Sequence, residues 1–528
     1  MASGFEFVAL EEKPTPDSDN DDTKQRPSVM NGKSSDVSIS DDGKTYTVED
    51  AVETAGFGRF QLLLCVICGV LMAADAMEML LLSILGPALR CSWQLSSEEI
   101  AAITTVVFAG FLIGSPIWGF ISDRFGRWPT FFTVLTLISY YGFLTAVSPT
   151  YVWLLILRFA VGFAIGGCSS SFALLSEFLP VKHRAKVLLG FQIFWAIGST
   201  FEVGIAYLLL PRFGWRWLVF ASAVPLALFL GLLKILPESP RYLVTAGYTD
   251  EAEKVIARLF RSNRVTPLEG KLTSTPVSAR SGQGAKNLGS MKQLFGKQYL
   301  VTTLMLPIIW FGAAFGYYGV VLLSAEIFRF RHQCFGAPST PPEVWNTTFP
   351  NGTEPPVDTS CCSELSDDDF IAMLVSSIGE FINVPLMVLV IDFFGRKITM
   401  GVWNGLTGLM FFLLYVCMSK EAMTGVLFVV RAFSAGLLSL AYLYTTEVYP
   451  TSCRAIAVGS FSSIARLGAI VTPYVAQVMM PEVSQIGALS IYAAVGVLCS
   501  ILSFVLPIET AGRELPNYAE EIPVEYPK

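Results

Sequence analysis

Three ionisable side chains stand inside long apolar runs, and their types say what chemistry to look for. Asp75 and Glu78 lie three residues apart in the run near 60–85, and Arg466 interrupts the run near 455–479 in Ser462-Ser-Ile-Ala-Arg466-Leu-Gly-Ala. An acid at the centre of a membrane helix costs about 2.5 to 3.5 kcal/mol on insertion scales, so two in one turn need a cavity or a partner. Out of water and close together they repel, and a proton relieves both costs, so the pair is suited to loading and releasing protons. Arg466 keeps its charge and presents five donors in a planar fork that fits a carboxylate, so it suits an organic anion or an internal partner, Glu202 or Glu380. Tyr318, Gln192 and Asn383 lie in other apolar runs and join Glu202 and Glu380 as candidate solute contacts.

These residues need a frame of membrane helices to bring them together. The chain has 528 residues, 53% hydrophobic and only 15% charged, where soluble domains carry about 25% charged residues. Twelve apolar runs of about 20 residues, six within 60–236 and six within 299–507, each match the thickness of a bilayer core. The expectation is an all-α membrane protein with twelve transmembrane helices in two pseudo-symmetric six-helix bundles, 59–236 and 299–508. Residues 1–58, polar and without the apolar core of a signal peptide, are expected to be a disordered cytoplasmic tail. Residues 237–298 are expected to be a cytoplasmic linker with a helix near 250–261, lying on the membrane surface or packed under the gate. Residues 509–528 form a second tail.

The division into halves rests on repeated motifs. Glu177-Phe-Leu-Pro-x-x-x-Arg184 returns 270 residues later as Glu447-Val-Tyr-Pro-x-x-x-Arg454, and Asp123-Arg124-Phe-Gly126-Arg127 returns 269 later as Asp392-Phe-Phe-Gly395-Arg396. Duplicated halves with charged motifs at helix ends suit a transporter that rocks about a central site, with breakable ion pairs as its gate. Gly126 and Gly395 permit the tight turns, and Arg158, followed by Gly162 and Gly166, belongs to helix packing and gating. A plainer role for the same basic residues is to fix orientation.

Lys and Arg crowd one set of loops, which places those loops and both termini in the cytoplasm. The loop 324–369 is acidic and holds two glycosylation sequons, at Asn346 and Asn351, which put it on the opposite side. Cys334, Cys361, Cys362 and Cys91 share that side, and four thiols allow three full disulfide connectivities. The net charge of −7 comes largely from the tail and acidic loops and points to no nucleic-acid partner.

Gly119-x-x-x-Asp123-Arg-x-Gly126-Arg127, Arg158-x-x-x-Gly162, Pro237-Glu238-Ser239-Pro240-Arg241 and Pro507-x-Glu509-Thr510 resemble signatures of the major facilitator superfamily, nearest its sugar-porter and organic-ion branches. Val48-Glu-Asp-Ala-Val-Glu-x-x-Gly56-Phe-Gly58, Ala74-Asp75-Ala-Met-Glu78-Met79 and Phe201-Glu202-Val203 are similar to the synaptic vesicle 2-related group. The resemblance, over 46–513, implies a twelve-helix facilitator, a cytoplasmic N-terminus and a place in vesicle membranes. Asp75 resembles the first-helix acid of aromatic-acid proton symporters, and Arg466 the eleventh-helix arginine of organic-anion carriers. The leading expectation is therefore a proton-coupled carrier of a small organic anion, working as a monomer in the bilayer. A non-transporting vesicle receptor or scaffold and a neutral sugar carrier are the alternatives. The sequence shows no nucleophile and base set, metal-ligand cluster or phosphate loop, and His183 and His332 lack ligand-spaced partners, so no enzyme, cofactor, metal or ATP-driven pump is expected.

Overall fold

Long apolar sequences can cross a bilayer only by satisfying every backbone group internally, and here they do so as helices. The computed structural model describes residues 45–273, 294–329, 365–416 and 418–511. Among them, eleven helices are long and apolar enough to span: Arg59–Trp93, Ser97–Phe125, Arg127–Ala146, Tyr151–Glu177, Val181–Phe213 and Trp215–Ile235 are spans one to six. Leu300–Phe328, Asp367–Ile391, Lys420–Val448, Ile456–Val483 and Gln485–Val505 are spans seven, eight, ten, eleven and twelve. Span nine, residues 396–413, continues from span eight in the helix Asp367–Leu413, which breaks at Gly395 with φ 81° and ψ 176°. The twelve-helix expectation therefore holds, six on each side of the linker.

Helix pairing repeats between the halves. Span one packs on five, two on four and three on six; in the second bundle seven packs on eleven, eight on ten and nine on twelve. The bundles meet along a seam where span two faces eleven, five faces eight and one faces seven.

The same end of both bundles, here the basic face, is built on one device. Gly126 and Gly395 take positive φ, 102° and 81°, a region that costs a residue with a Cβ. A carboxylate fills the space left by each missing side chain. Glu238 accepts from the backbone N–H of Arg127 at 2.7 Å and of Trp128 at 3.0 Å, and Glu509 accepts from Arg396 at 2.9 Å and Lys397 at 3.1 Å. Each acid thus caps the helix that follows the turn, satisfying donors that no intrahelical partner can reach.

The tail expectation is corrected. Residues 45–58 fold: Thr45–Tyr46 pairs in parallel with Lys271–Leu272, and Val48–Ala55 is a helix with Thr47 and Asp50 in a reciprocal cap. Val48, Ala51, Val52 and Ala55 form its buried stripe, which is why it docks and does not dissolve. The linker helix, Thr249–Asn263, packs on this helix and on the end of span one, with Ala252, Ile256, Leu259 and Phe260 buried. It packs against the N-terminal bundle beside the start of span one. The sequons Asn346 and Asn351, with Cys334, Cys361 and Cys362, lie outside the described residues.

Candidate functional site

Mid-membrane charge is sorted into three places. Inside the N-terminal bundle, Glu78 of span one is ion-paired with the fully buried Arg158 of span four. Ser222 of span six donates to Glu202 of span five at 2.7 Å, and Glu202 lies within electrostatic reach of Glu78 and Arg158. A small void, with room for about one water molecule, is lined by Glu78, Arg158 and Ser222 among apolar neighbours. Inside the C-terminal bundle, Arg431 of span ten donates to Glu380 of span eight through Nε at 3.1 Å and Nη2 at 2.7 Å. Asn383, one turn further along span eight, accepts from Trp403 at 3.1 Å and is also an internal contact of this bundle.

The third place is the seam. Arg466 of span eleven lays its guanidinium over the ring of Phe111 in span two, 3.7 Å from its centroid, and donates to the Tyr318 hydroxyl of span seven at 3.3 Å. Tyr318 packs against Phe108 of span two, with ring centroids 4.9 Å apart. Asp75 is buried, with Oδ1 lacking a hydrogen-bond partner among the described residues, and Arg466 Nε lacks one too. The two charges feel each other, and Tyr318 feels both, but they form no ion pair. Asp75 and Glu78 therefore have different partners although three residues of helix leave them only about 60° apart. They sit at neighbouring positions on one side of span one, Glu78 reaching Arg158 inside the bundle and Asp75 facing the seam. Neither Glu202 nor Glu380 partners Arg466: Ser222 holds Glu202 inside its bundle, and Glu380 is held by Arg431 and Tyr317 of its own bundle and by Ser199 across the seam. The void in the N-terminal bundle is lined by Glu78 and not by Asp75 or Arg466, which face the seam.

Further contacts bridge the seam on both sides of this level. Toward the face opposite the basic loops, Ser83 donates to the Val321 carbonyl at 2.8 Å and Thr104 to Gln477 at 3.2 Å, and Arg90 lies 3.8 Å from Glu326. From mid-membrane toward the basic face, span five presents Leu189, Gln192, Trp195 and Ser199 to the second bundle. Gln192 bonds Ser439, Trp195 bonds the Tyr317 hydroxyl, and Ser199 donates to Glu380 at 2.8 Å. Tyr317 also donates to Glu380, at 3.1 Å.

The repeated motifs form ion pairs within each bundle. Arg127 bonds Asp123 at 2.6 Å and Glu177 at 3.1 Å; Arg396 reaches Glu447 at 3.0 Å. Arg184 and Arg454 donate to the carbonyls of Leu179 and Tyr449 at 3.0 and 3.2 Å, one matching bond per half. The Arg124 guanidinium stands 5.9 Å from the Phe125 ring centroid, and the side chain of Asp392 lies outside the described residues. Sequence reasoning missed Arg431. It stands 273 residues after Arg158, three to four beyond the motif offsets of 270 and 269, so the repeat finds it only when a short insertion is allowed.

The family model described as Sugar (and other) transporter matches residues 44–330, and the one described as Major Facilitator Superfamily matches 367–526. The synaptic vesicle 2-related protein of Pongo abelii is 42% identical over 474 residues, covering 89% of this chain and 82% of that protein. That of Xenopus laevis is 40% identical over 471 residues, with the same coverage. Among solved structures, a partially occluded inward-open conformation of the xylose transporter XylE from E. coli aligns with a TM-score of 0.61 at 19% identity, covering 86% of this chain and all of that one.

Proposed function

Because the chain belongs to the major facilitator superfamily and is a membrane transporter of the facilitator type, we propose that it carries a small organic anion across the seam between its bundles. Arg466 receives the anionic group and Asp75 exchanges the proton. The observation that carries this reading is the unjoined pair. Asp75 and Arg466 are mid-membrane charges from opposite bundles that form no ion pair among the described residues, while Glu78 and Glu380 have arginines of their own; an unmet buried atom is shared with Arg158 and Arg431 and does not by itself mark them.

A half-buried guanidinium and a buried carboxylate held apart leave two unmet demands. A solute carboxylate satisfies Arg466, and a proton on Asp75 keeps the site from gaining a net negative charge. The rings of Phe111, Phe108 and Tyr318 give the solute an apolar flank. When the bundles part on one side, Asp75 and Arg466 meet water there, and solute and proton enter or leave together. The basic face is the cytoplasmic one in this reading, by the concentration of Lys and Arg in its loops. The names of the relatives support a vesicle membrane.

A neutral sugar is the second reading, favoured by the sugar-transporter match over residues 44–330. Gln192, Trp195 and Tyr317 would be its polar contacts, and it gives Arg466 no counter-charge.

Purified protein in proteoliposomes, screened against organic anions and sugars with and without an imposed pH gradient, tests the reading. The expected result is anion accumulation driven by the gradient in the wild type, and anion exchange without gradient-driven accumulation in Asp75→Asn. Gradient-driven accumulation that survives Asp75→Asn removes Asp75 from the coupling, and accumulation of sugars alone replaces the anion reading.

A further inference from the structure

The segment before span one is tied to span five, whose inner half grips the other bundle on the basic side of the seam. Span five begins at Val181, and the backbone N–H of Val181 donates to Glu53 Oε1 of the helix Val48–Ala55 at 2.6 Å. The same helix meets Arg241 through Glu49 at 2.9 Å, and Arg184 of span five lies within electrostatic reach of both Glu49 and Glu53. One edge of the short helix is therefore acidic where span five and the linker present basic groups.

Its other end is knotted by two amides. Asn263, the last residue of the linker helix, accepts from the Phe60 N–H at 3.0 Å and donates to the Ala55 carbonyl at 3.1 Å and to Gln61 Oε1 at 2.9 Å. Gln61 in turn donates to the carbonyls of Gly56 at 2.9 Å and Phe178 at 3.2 Å, and Phe178 sits in the turn between spans four and five. Phe57 stacks on His183 of span five at 5.7 Å, and Phe60 packs on Phe178 at 5.2 Å. The strand pair Thr45–Tyr46 with Lys271–Leu272 closes the loop, with Thr273 N–H donating to the Tyr46 carbonyl at 3.0 Å. Burial and the neighbouring Glu253 carboxylate push the Tyr46 phenol up, as expected of a side chain tucked under the linker helix.

We infer that residues 45–61 are a strap that sets the position of span five, and through it the strength of the seal between the bundles on the basic side. The coupling is mechanical and short. Eight residues after the capped Val181, span five places Leu189 in an apolar cluster whose other buried members, Ala313, Met387, Ile391, Trp403, Leu437 and Leu440, all belong to the second bundle. Gln192, Trp195 and Ser199 follow on the same face with their bonds to Ser439, Tyr317 and Glu380. Three to four residues separate successive members, the spacing of one helical stripe. A helix fixed at its first turn by Glu53 and at the preceding turn by Gln61 carries that anchoring through Val181–Gly190 to Leu189, and a tight turn at Phe191–Gln192 joins it to Ile193–Phe213 with the rest of the stripe. Releasing the strap gives span five freedom to pull its stripe out of the second bundle, so the strap biases the carrier against opening at the basic face.

Hydrogen–deuterium exchange on the full chain in nanodiscs reads this without labels. In the double variant Glu49→Ala, Glu53→Ala, which removes the acceptor of the Val181 N–H, exchange is expected to rise about fivefold, the scale of one lost helix cap, both in 181–192 of span five and in 437–448 of span ten. Span ten packs mainly on spans eight and seven of its own bundle, so its response is what distinguishes coupling from local fraying. Segments of the opposite seal, 79–93 and 470–483, are expected to stay unchanged. Thr47→Ala, which removes only the cap of the short helix, is expected to give the same pattern at smaller amplitude. A rise confined to 45–61 and 181–185, or a uniform rise over all spans, overturns the inference.

Discussion

Glu78 meets Arg158 inside the N-terminal bundle and Glu380 meets Arg431 inside the C-terminal bundle, whereas Asp75 and Arg466, facing the seam, share no ion pair among the described residues. Each of these two ion pairs joins helices of one bundle, so parting the seam leaves it intact even though Ser199 of the other bundle also bonds Glu380, and a buried charge needs such a partner throughout the cycle. The seam must open, and a carboxylate and guanidinium left unjoined across it keep capacity for a solute and a proton. The contrast separates charges that hold the fold from charges that do the carrying, although all six side chains lie in membrane-spanning helices.

The sharpest way to break that contrast is to remove an interior arginine. Arg158→Gln or Arg431→Gln leaves a glutamate buried without its ion, and a loss of about 3 to 5 kcal/mol is expected, read as a collapse of the melting temperature and of monodisperse protein. Wild-type melting in either variant would show that the interior pairs do not bear the fold. At the seam, Arg466→Gln breaks a cation–π contact and one long hydrogen bond, so its melting free energy is expected to fall by only about 1 kcal/mol. A loss as deep as that of Arg431→Gln would make the seam structural as well.

Smaller effects sharpen the symmetry of the scaffold around these charges. Glu238→Gln and Glu509→Gln each weaken a cap on two backbone donors, and matched losses of about 1 kcal/mol are expected in thermal melts. A large difference between them would mean that the two turns, alike in φ and in bonds, carry unequal load. Ser199→Ala, which takes one donor from Glu380 while Arg431 and Tyr317 remain, is expected to cost under about 1 kcal/mol, with faster exchange in 437–448 as its main sign.

Much of the scaffold was legible because its signals are local. Hydropathy over twenty residues gives a span, and Gly126 and Gly395 recur at nearly the same offset as Glu177 and Glu447, so the halves and their turns follow from counting. Glu238 and Glu509 were visible as motif residues, but their capping role required seeing a helix start fold back against a distant segment. The helix Val48–Ala55 was readable in principle, since Thr47 and Asp50 have capping-box spacing before an apolar stripe; the polar tail around it hid the signal. Partner choice was not readable. Arg466 had two plausible acids in sequence, and only packing shows Glu202 turned to Ser222, Glu380 to Arg431 and Arg466 to Phe111 and Tyr318.

Uptake of an organic anion by Arg466→Gln, set beside wild-type protein of equal amount in proteoliposomes with an inward proton gradient, addresses the account at its centre. Uptake is expected to fall at least thirtyfold, about 2 kcal/mol, the lower end for removing one member of a buried charge contact, while the variant stays folded and monodisperse. Folded Arg466→Gln protein that accumulates the anion at the wild-type rate would contradict the claim that the solute docks between Asp75 and Arg466.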